Sequence, residues 1–430
     1  MNDALLKADA ETIERDIESL AAMVDSSKPG WTRRPFTPWY EQGRQWLRER
    51  MVEIGMHVEI DAASNLIGRL PGSDPSLKPI MVGSHTDTVT GGGRFDGIIG
   101  VLAGLEIVRT LKRAGIVLRH PLMVVDFTAE EPSEFGISTI GSRGMVGNLP
   151  EEMLERTDPS GLVLRDAIRL AGGDPDALPS AALGPGDIAL YLELHIEQGP
   201  VLEQTGTKLG VVTGIVGIHR YRVTVEGRPN HAGTTPMTMR SDALTGAARM
   251  ILELEAICRE HDAEPVVGTV GKLTVEPNAS NVIPGRVVFD LEVRSLSVDI
   301  MEELICAFKR RTEEIALNCG IAISMDCLSK SEPIRVDEDV QAIIRSGCAA
   351  TASSISLPSG AGHDANQIAR IAPIGMVFVP SKDGRSHCPE EWTDYADVAL
   401  GVEALTRTIV LYDNLRMKTE LNNQKRDIQA

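Results

Sequence analysis

Residues 79–87 have the sequence PIMVGSHTD, an apolar run that ends in a histidine and an aspartate. Short, continuous apolar runs are typical of strands that are buried on both faces of a parallel sheet. A second run, LMVVDF at 122–127, ends just before the adjacent acids Glu130 and Glu131. A helical pattern at 98–114 separates the two runs, so this part of the chain alternates strands and helices. The alternation predicts an α/β domain that carries polar side chains at the carboxyl ends of its strands, where open α/β sheets place their sites.

The composition is that of a soluble globular enzyme. Hydrophobic residues make up 42% of the 430 residues and charged residues 24%, so neither disorder nor membrane residence is favoured. Because single cores stop growing at about 250–300 residues, two domains are expected. The net charge of −18 argues against nucleic acid as a partner, since phosphate binding needs a basic face. The chain shows neither a basic, apolar leader nor a membrane-length apolar run, so we expect a cytoplasmic location.

The pattern of elements changes in the middle of the chain. A glycine-spaced segment at 210–217 is suited to a hinge, and strands and helices then follow in the order βαββαβ between about 220 and 325. That order is the one found in ferredoxin-like units. We therefore predict one domain made of residues 1–213 and 330–430, into which residues 214–329 are inserted as a second domain.

Five side chains of metal-ligand type lie at predicted strand ends or in glycine-rich loops, namely His85, Asp96, Glu131, His195 and His387. A single histidine at a strand end is more often a packed or capping group. The whole set is harder to explain by packing, because buried carboxylates without cations are costly. Histidine and carboxylate ligands suit Zn²⁺, Mn²⁺, Co²⁺ or Ni²⁺, so the ligand types leave the metal open. Two such ions sharing Asp96 would lower the pKa of a bound water to about 7.

The motifs around these residues resemble those of a known family, the amidase/hydantoinase/carbamoylase branch of the dinuclear-zinc aminoacylase and carboxypeptidase superfamily. The resemblance covers the chain from about Thr37 to Tyr412. The stretches that carry it are GSHTD at 83–87, GGRFDG at 92–97, LHIEQG at 194–199, HAGTTP at 231–236 and GRSH at 384–387. The resemblance implies a zinc-exopeptidase-like α/β/α catalytic domain with an inserted ferredoxin-like α+β domain for lid and dimerisation functions.

The resemblance also implies which residues hold two divalent ions in each subunit. Zn²⁺ is the expected metal, with Mn²⁺, Co²⁺ or Ni²⁺ as alternatives. His85 and His195 would bind the first metal, and Glu131 and His387 the second. Asp96 would bridge both ions. The predicted cofactor is therefore a binuclear metal centre.

The resemblance implies further catalytic roles. Glu130 would be the general base, and Asp87 would orient His85. His231 would stabilise the oxyanion across a dimer interface, and Gln198 would contact the carbamoyl group of the substrate.

A carboxylate clamp is implied as well. Arg294 and Asn281 would hold the substrate's carboxylate, since a guanidinium can grip a carboxylate through two parallel hydrogen bonds. Gly360 and Gly362 would lie in a loop that donates backbone N–H groups. The next residues, 363–364, are expected to be structural.

The activity that follows is hydrolysis of the ureido C–N bond of an N-carbamoyl-L-amino acid by a homodimer. The products would be the L-amino acid, ammonia and carbon dioxide. Allantoate amidohydrolase and β-ureidopropionase share every motif quoted above and stay open as alternatives. A dipeptidase or aminoacylase is disfavoured, because the motifs at 194–199 and 231–236 resemble the ureido-cleaving branch. A catalytically silent binding protein on the same fold is a remote alternative, which the intact Glu130 and ligand set disfavour.

Overall fold

The structure is a computed structural model that describes residues 6–261 and 265–429, with side chains as far as Leu415. Its strands are β1 (His57–Ile60), β2 (Leu66–Leu70), β3 (Ile80–His85), β4 (Leu122–Phe127), β5 (Leu190–Ile196), β6 (Leu209–Ile215), β7 (Gly217–Glu226), β8 (Val266–Glu276), β9 (Arg286–Ser295), β10 (Ala322–Ser331), β11 (Ile334–Arg335), β12 (Ser354–Ser359) and β13 (Ile374–Val379).

The helices alternate with these strands along much of the chain. They are α1 (Ala10–Ala21), α2 (Pro38–Glu53), α3 (Ile98–Arg113), α4 (Ile140–Met145), α5 (Glu151–Leu154), α6 (Leu164–Leu170), α7 (Leu178–Ala181), α8 (Val201–Thr205), α9 (Ala243–Arg259), α10 (Val298–Cys319), α11 (Glu338–Ala349), α12 (Ala365–Ile368) and α13 (Tyr395–Gln429). Two 3₁₀ helices, Met237–Met239 and Lys382–Gly384, also lie in the described part of the chain. No helix among the described residues is long and apolar enough to cross a membrane.

The chain divides into two compact units. Unit 1 comprises Met1–Thr213, Val336–Leu357 and Gly362–Ala430, and unit 2 comprises Gly214–Arg335 and Pro358–Ala361.

Unit 1 is built on a mixed sheet with the strand order β1-β2-β4-β3-β5-β13-β6. β4, β3, β5 and β13 run parallel at its centre, and every residue in these four strands is buried. Their largely apolar sequences match this position, because helices cover both faces of a parallel sheet. The predicted α/β class is confirmed. The glycine-spaced segment at 210–217 forms most of β6 and the first residue of β7.

The start of α3 illustrates how the sequence sets a local boundary. Gly97 precedes the helix with φ +70°, a left-handed value that suits glycine. Lys112 and Arg113 lie in the last turn, where cations are favourable next to the helix dipole. Almost every residue between these ends is buried, so α3 is packed as an internal helix and holds the loop before it in place.

Unit 2 contains a four-stranded antiparallel sheet with the order β10-β7-β9-β8. In chain order, β7, α9, β8, β9, α10 and β10 form the predicted βαββαβ unit, and the inserted α+β fold is confirmed. Residues of β7 and β9 alternate between buried and less buried positions, so one face of the sheet packs in a core with residues of α9 and α10. The dimerisation role of this unit stays a prediction.

Unit 2 extends to Arg335 in its first segment, while the domain bounds given from the sequence stay a prediction. β10 pairs with β7 as far as Ser331, and Ile334 of β11 pairs with Ile215 of β6. Residues 330–331 and 334–335 therefore pair with residues of unit 2, and residues 330–335 belong to that unit. Residues 358–361 belong to unit 2 as well.

Candidate metal centre

Two of the predicted ligands lie at the carboxyl ends of neighbouring parallel strands. His85 is the last residue of β3, and His195 is the next-to-last residue of β5. β3 and β5 are hydrogen-bonded in parallel, so the two histidines emerge at the same edge of the sheet. Their ring centroids are 6.2 Å apart, and both side chains are buried.

The carboxylate of Asp96 joins these histidines to a residue from far along the chain. Its Oδ1 lies 3.1 Å from His195 Nε2, and its Oδ2 lies 3.0 Å from His387 Nε2. His387 Nε2 is also 3.2 Å from Glu131 Oε1. Two three-residue groups result, His85/Asp96/His195 and Asp96/Glu131/His387, and the ligand atoms in each lie within 4.8 Å of one another. All five residues predicted as ligands therefore converge, and Asp96 is common to both groups.

Backbone carbonyls orient the imidazoles of β3 and β5. His85 Nδ1 is 3.0 Å from the carbonyl oxygen of Asp87, and His195 Nδ1 is 2.9 Å from the carbonyl oxygen of Ile196. In the neutral rings Nδ1 then donates its hydrogen, which leaves the Nε2 lone pair of each imidazole as a ligand. Asp87 contacts His85 more closely through its backbone oxygen than through its carboxylate, whose Oδ1 is 3.6 Å away.

The carboxylate of Asp87 holds the acid pair. Its Oδ1 accepts the backbone N–H of Glu130 at 3.1 Å, and its Oδ2 accepts that of Glu131 at 3.2 Å. Ala129, just before the pair, has φ +54°, a conformation that costs about 1–3 kcal/mol and persists only when its surroundings hold it. The segment after β4 is thus fixed by Asp87, and the Glu130 carboxylate lies with Oε2 3.6 Å from His85 Nε2.

The electrostatics of this cluster suit divalent cations. Burial raises the pKa of Glu130 well above its usual value, and the nearby Glu131 and Asp364 raise it further. Burial alone would lower the pKa of His85, yet the surrounding carboxylates, among them Asp96, raise it to about 9. The same negative field that raises this pKa would stabilise bound cations. Buried histidine and carboxylate donors therefore fit a pair of divalent metal ions.

Gln198 also contacts the shared carboxylate. Its Nε2 donates to both oxygens of Asp96, at 3.2 and 3.1 Å, and its Oε1 is buried without a hydrogen-bond partner. The backbone of Gln198 has φ +58°. The structure thus brings the residue predicted to contact the carbamoyl group against Asp96, the predicted bridging ligand, and the unpartnered carbonyl of Gln198 can accept a hydrogen from a bound molecule.

The residues predicted from the lid motif lie in unit 2, and two of them are neighbours. The backbone of His231 forms an isolated antiparallel β-bridge with that of Val282. The N–H of Ala232 donates to the carbonyl oxygen of Asn281 at 2.9 Å. The Nδ1 atom of His231 accepts the N–H of Gly233 at 3.0 Å. A neutral imidazole with an accepting Nδ1 carries its hydrogen on Nε2, so the exposed Nε2 is a donor.

Arg294 is held in place by its own unit. Its Nε and one terminal nitrogen donate to Glu292 Oε1 at 2.9 and 2.6 Å, and its other terminal nitrogen donates to the carbonyl oxygen of Gly360 at 2.6 Å. Gly360 belongs to unit 2 and Gly362 to unit 1. The contact observed for Gly360 is made by its carbonyl group.

Residues 363–364, expected to be structural, lie against the cluster. The His363 ring centroid is 4.5 Å from that of His195, and Asp364 Oδ1 accepts the hydroxyl of Ser142 at 2.5 Å. Burial, followed by the proximity of His195, lowers the pKa of His363 well below its usual value, so the ring is neutral. Glu193 and His363 also approach His195 closely enough to form a further three-residue group. For residues 363–364, the sequence had shown only that they follow the glycine-rich loop at 360–362.

The sequence interpretation also missed a buried acid in the loop that carries His387. Glu391 is only 2% exposed, and its carboxylate accepts the backbone N–H groups of Phe95 and Asp96. Its neighbour Glu390 is an exposed acid, and the pair reads in the sequence as part of a solvated turn. Without the fold, nothing distinguishes the two.

Comparison with known proteins identifies the family. The model of peptidase family M20/M25/M40 matches residues 81–410. An N-carbamoyl-L-amino acid amidohydrolase of Geobacillus stearothermophilus is 44% identical over 381 residues, covering 88% of this chain and 93% of that protein. An allantoate amidohydrolase of Bacillus subtilis (strain 168) is 38% identical over 392 residues, covering 91% and 94%. An amidase of the hydantoinase/carbamoylase family from Burkholderia multivorans has a crystal structure with TM-score 0.89 and 33% identity, covering 94% and 98%. The chain belongs to the hydantoinase/carbamoylase amidase family.

Membership of this family makes the chain a hydrolase that acts on C–N bonds. The recognised family and the buried histidine and carboxylate groups agree with the binuclear centre predicted from the motifs, while the identity of the metal stays open.

In this carbamoylase-family amidase, Gly97 provides the space for the imidazole of His85, a predicted metal ligand. A Cβ atom at Gly97 would lie 2.3 Å from Cε1 and Nε2 of His85. We predict that Gly97→Ala displaces this imidazole and lowers metal affinity by at least ~10-fold, because misplaced ligands bind metal poorly. Zinc content after dialysis and kcat/KM would measure the effect.

The opposite end of α3 offers a matched control. Gly115 also has a left-handed φ of +66°, but a Cβ there would meet nothing within 4 Å. Gly115→Ala therefore carries only the backbone penalty of about 1–2 kcal/mol. Equal losses of bound zinc in the two variants would contradict the steric explanation.

Proposed function

We propose that this chain is a homodimeric, binuclear metal-dependent amidohydrolase that cleaves the terminal ureido C–N bond of N-carbamoyl-L-amino acids. The products are the L-amino acid, ammonia and carbon dioxide. The observation that carries the proposal is the Asp96 carboxylate between His195 and His387, at 3.1 and 3.0 Å, with Glu130 beside the same cluster. The 44% identity to an N-carbamoyl-L-amino acid amidohydrolase supports this choice of substrate.

The metal ions would be held by His85, His195, Glu131 and His387, with Asp96 shared. When bound, they would acidify a water molecule and polarise the ureido carbonyl group. Glu130 acts as the base, because its carboxylate lies next to His85 without being a member of the Asp96-centred groups. It accepts the proton of the attacking water and passes it to the departing nitrogen, which leaves as ammonia. The carbamate that remains on the amino acid loses carbon dioxide.

Two side chains, those of His231 and Gln198, are assigned to hydrogen bonds with the carbamoyl group of the substrate. His231 carries its ring hydrogen on Nε2, since Nδ1 accepts the N–H of Gly233, so the imidazole is a donor for the developing oxyanion. We assign this role across the interface of the homodimer. Gln198 Oε1, buried without a partner, is available to accept a hydrogen from the terminal nitrogen of the carbamoyl group.

The substrate carboxylate is assigned to Arg294, on the outer face of the unit 2 sheet. On this face Arg222 lies directly opposite Asp290 and makes a two-bond ion pair with it, at 2.7 and 2.9 Å. Arg220 lies opposite Glu292 in the same way and donates to it at 3.0 Å. Each of these arginines thus has an acid facing it.

Arg294 has no such facing acid. The residues paired with it on the neighbouring strands are Ile218 and Val267. It shares Glu292 with Arg220, so two guanidinium groups stand against one carboxylate. The carboxylate of Glu292 balances only one of these two positive charges. The second positive charge suits a ligand with a single carboxylate.

A substrate panel tests the proposal directly. We expect ammonia release from N-carbamoyl-L-amino acids with a kcat/KM clearly above that for allantoate and N-carbamoyl-β-alanine. Allantoate as the best substrate would favour the allantoate amidohydrolase alternative, which the 38% identity to the Bacillus subtilis enzyme supports. N-carbamoyl-β-alanine as the best substrate would favour β-ureidopropionase. Absence of ammonia from all three, with metal bound, would contradict the proposed activity.

Replacing Arg294 by lysine tests the carboxylate clamp. Lysine keeps the charge but cannot form two parallel hydrogen bonds, and bonds to charged groups contribute about 1.5–3 kcal/mol each. We therefore expect KM for an N-carbamoyl-L-amino acid to rise about 10- to 100-fold, with a much smaller change in kcat. Steady-state kinetics on the metal-loaded enzyme would measure both constants.

The matched control is Arg222→Lys, on the same sheet face. Arg222 already has a complete partner in Asp290, so its replacement should leave KM within about threefold of the wild-type value. A KM for Arg294→Lys no higher than that of the control would remove Arg294 from the substrate site.

A further inference from the structure

Two loops that carry ligands of the metal centre meet although they are far apart in sequence. Asp96 lies just before α3, and Ser386 and His387 lie in the loop that follows β13, 290 residues beyond Asp96. For Asp96 and His387 to serve the same ion, these two loops must keep a fixed separation, since metal–ligand distances tolerate errors of only about 0.2 Å. Something in the protein has to tie them together.

The carboxylate of Glu391 makes that connection. Its Oε1 accepts the backbone N–H groups of Phe95 and Asp96, at 3.0 and 3.1 Å, and its Oε2 accepts the hydroxyl of Ser386 at 3.0 Å. One side chain from the His387 loop therefore holds the backbone of the bridging ligand and a hydroxyl next to His387.

Ser386 lies between two carboxylates. Its Oγ is 3.0 Å from Glu391 Oε2 and 3.2 Å from Asp96 Oδ2. A hydroxyl has a single hydrogen and can donate it to only one of these acceptors at a time. In either case Ser386 joins the loop that carries His387 to the carboxylate of Asp96 or to that of Glu391.

The loop around Asp96 is shaped to receive this carboxylate. A Cβ atom at Gly93 would lie 2.1 Å from Glu391 Oε1, so only glycine leaves room for it. The next residue, Arg94, is stacked between two indole rings, 4.7 Å from the centroid of Trp31 and 4.8 Å from that of Trp392. Trp392 directly follows Glu391, so adjacent residues of the His387 loop hold the Asp96 loop through a carboxylate and a ring.

The backbone of His387 needs such support. Its φ is +58°, a left-handed value that costs a non-glycine residue about 1–2 kcal/mol. The backbone N–H of Glu391 donates to the carbonyl of Cys388 at 3.1 Å and closes the turn after His387. Glu391 thus stabilises the turn around His387 through its own backbone N–H, which bonds to Cys388, and through its carboxylate, which bonds to Ser386.

We propose that Glu391 is a positioning residue that fixes the distance between Asp96 and His387 and thereby sets the affinity of the centre for its metal ions. The inference rests on the proposed function only in requiring divalent metal, and not on the choice of substrate. Glu391 acts through hydrogen-bond acceptance rather than through chemistry on the substrate.

The test measures zinc binding before activity. In the full-length protein, Glu391→Ala removes all three acceptor contacts, and we expect zinc affinity to fall about 10- to 100-fold, as for other residues that orient ligands. With saturating zinc, KM for an N-carbamoyl-L-amino acid should stay near the wild-type value while kcat is partly restored. Glu391→Gln keeps an oxygen for the N–H groups of Phe95 and Asp96, so its zinc affinity should lie within about threefold of wild type.

A matched control and a second variant keep the outcome decisive. Glu390→Ala removes the exposed neighbour, whose closest ion pair is with Arg385 at 3.9 Å, and zinc affinity should not change. If Glu391→Ala fails to fold, Gly93→Ala, whose Cβ displaces the same carboxylate, should still lower zinc affinity. Unchanged zinc affinity in Glu391→Ala or Gly93→Ala would overturn the inference, and so would equal losses in Glu391→Gln and Glu391→Ala. A wild-type protein that binds no divalent metal would instead contradict the proposed function.

Discussion

Glu130→Gln should lower turnover by at least about 100-fold while the protein keeps its metal ions. Glutamine has nearly the same shape as glutamate but cannot accept a proton, and removal of a general base costs about 100- to 10,000-fold in rate. The metal should stay because Glu130 is absent from both Asp96-centred groups among the described residues. Zinc analysis of the purified variant, together with ammonia release at saturating substrate, would measure the two properties separately.

Glu134→Gln controls for the loss of a negative charge in the same segment. Glu134 is a half-exposed surface acid that pairs with Arg34 at 3.0 Å, and such pairs contribute little. Its replacement should leave kcat unchanged. Near-normal turnover in Glu130→Gln would refute the assignment of the base, and loss of zinc from that variant would mean that Glu130 is a ligand.

Asp96→Asn should lose both metal binding and activity. The two oxygens of Asp96 face His195 and His387, and the two ligand groups share this residue alone. An amide has one acceptor oxygen and no charge, so it cannot serve two cations. Replacing a residue that merely orients a ligand costs about 10–100-fold in metal affinity, and loss of the shared ligand should exceed that. Zinc titration and ammonia release would report the two losses.

The control is Asp187→Asn, which removes an aspartate from an exposed ion pair with Lys78. Zinc stoichiometry and turnover should be those of the wild type. An Asp96→Asn protein that still bound two zinc ions per subunit with unchanged affinity would show that Asp96 does not bridge them.

Much of the fold could be predicted because burial leaves a periodic record in the sequence. The apolar runs at 79–83 and 122–127 predict strands that the structure has as β3 and β4. In unit 2, alternating residues predict β7 and β9, and helical spacing predicts α9 and α10. Each of these elements packs against a core, so its sequence reflects the side that is buried.

The predictions were weakest where an element has no buried side. β10 extends to Ser331, beyond the predicted end near residue 325, although its last residues are exposed and polar. Backbone hydrogen bonds to β7 hold these residues in the sheet, and backbone bonds leave no pattern in the side chains.

The candidate site divides in a similar way. Residue type and local context pointed to His85 and Glu130, which lie where core strands end, and to Asp96, which lies in a glycine-rich loop. The anchoring role of Glu391 and the contact between His363 and His195 could not be predicted, since neither leaves a local signal. Both depend on segments that meet only after folding.

By itself, the sequence determined which chemical groups this protein can bring to a reaction and on which kinds of element they lie. Hydrophobic periodicity specifies strands and helices, and the identities of the side chains specify histidine and carboxylate ligands. Only the tertiary structure decided that His387 meets Asp96, that Asp87 holds the acid pair through its carboxylate, and that Glu391 rather than Glu390 is buried. The physical reason is that a metal site depends on distances between side chains, and these distances are set by the packing of segments that are remote in sequence.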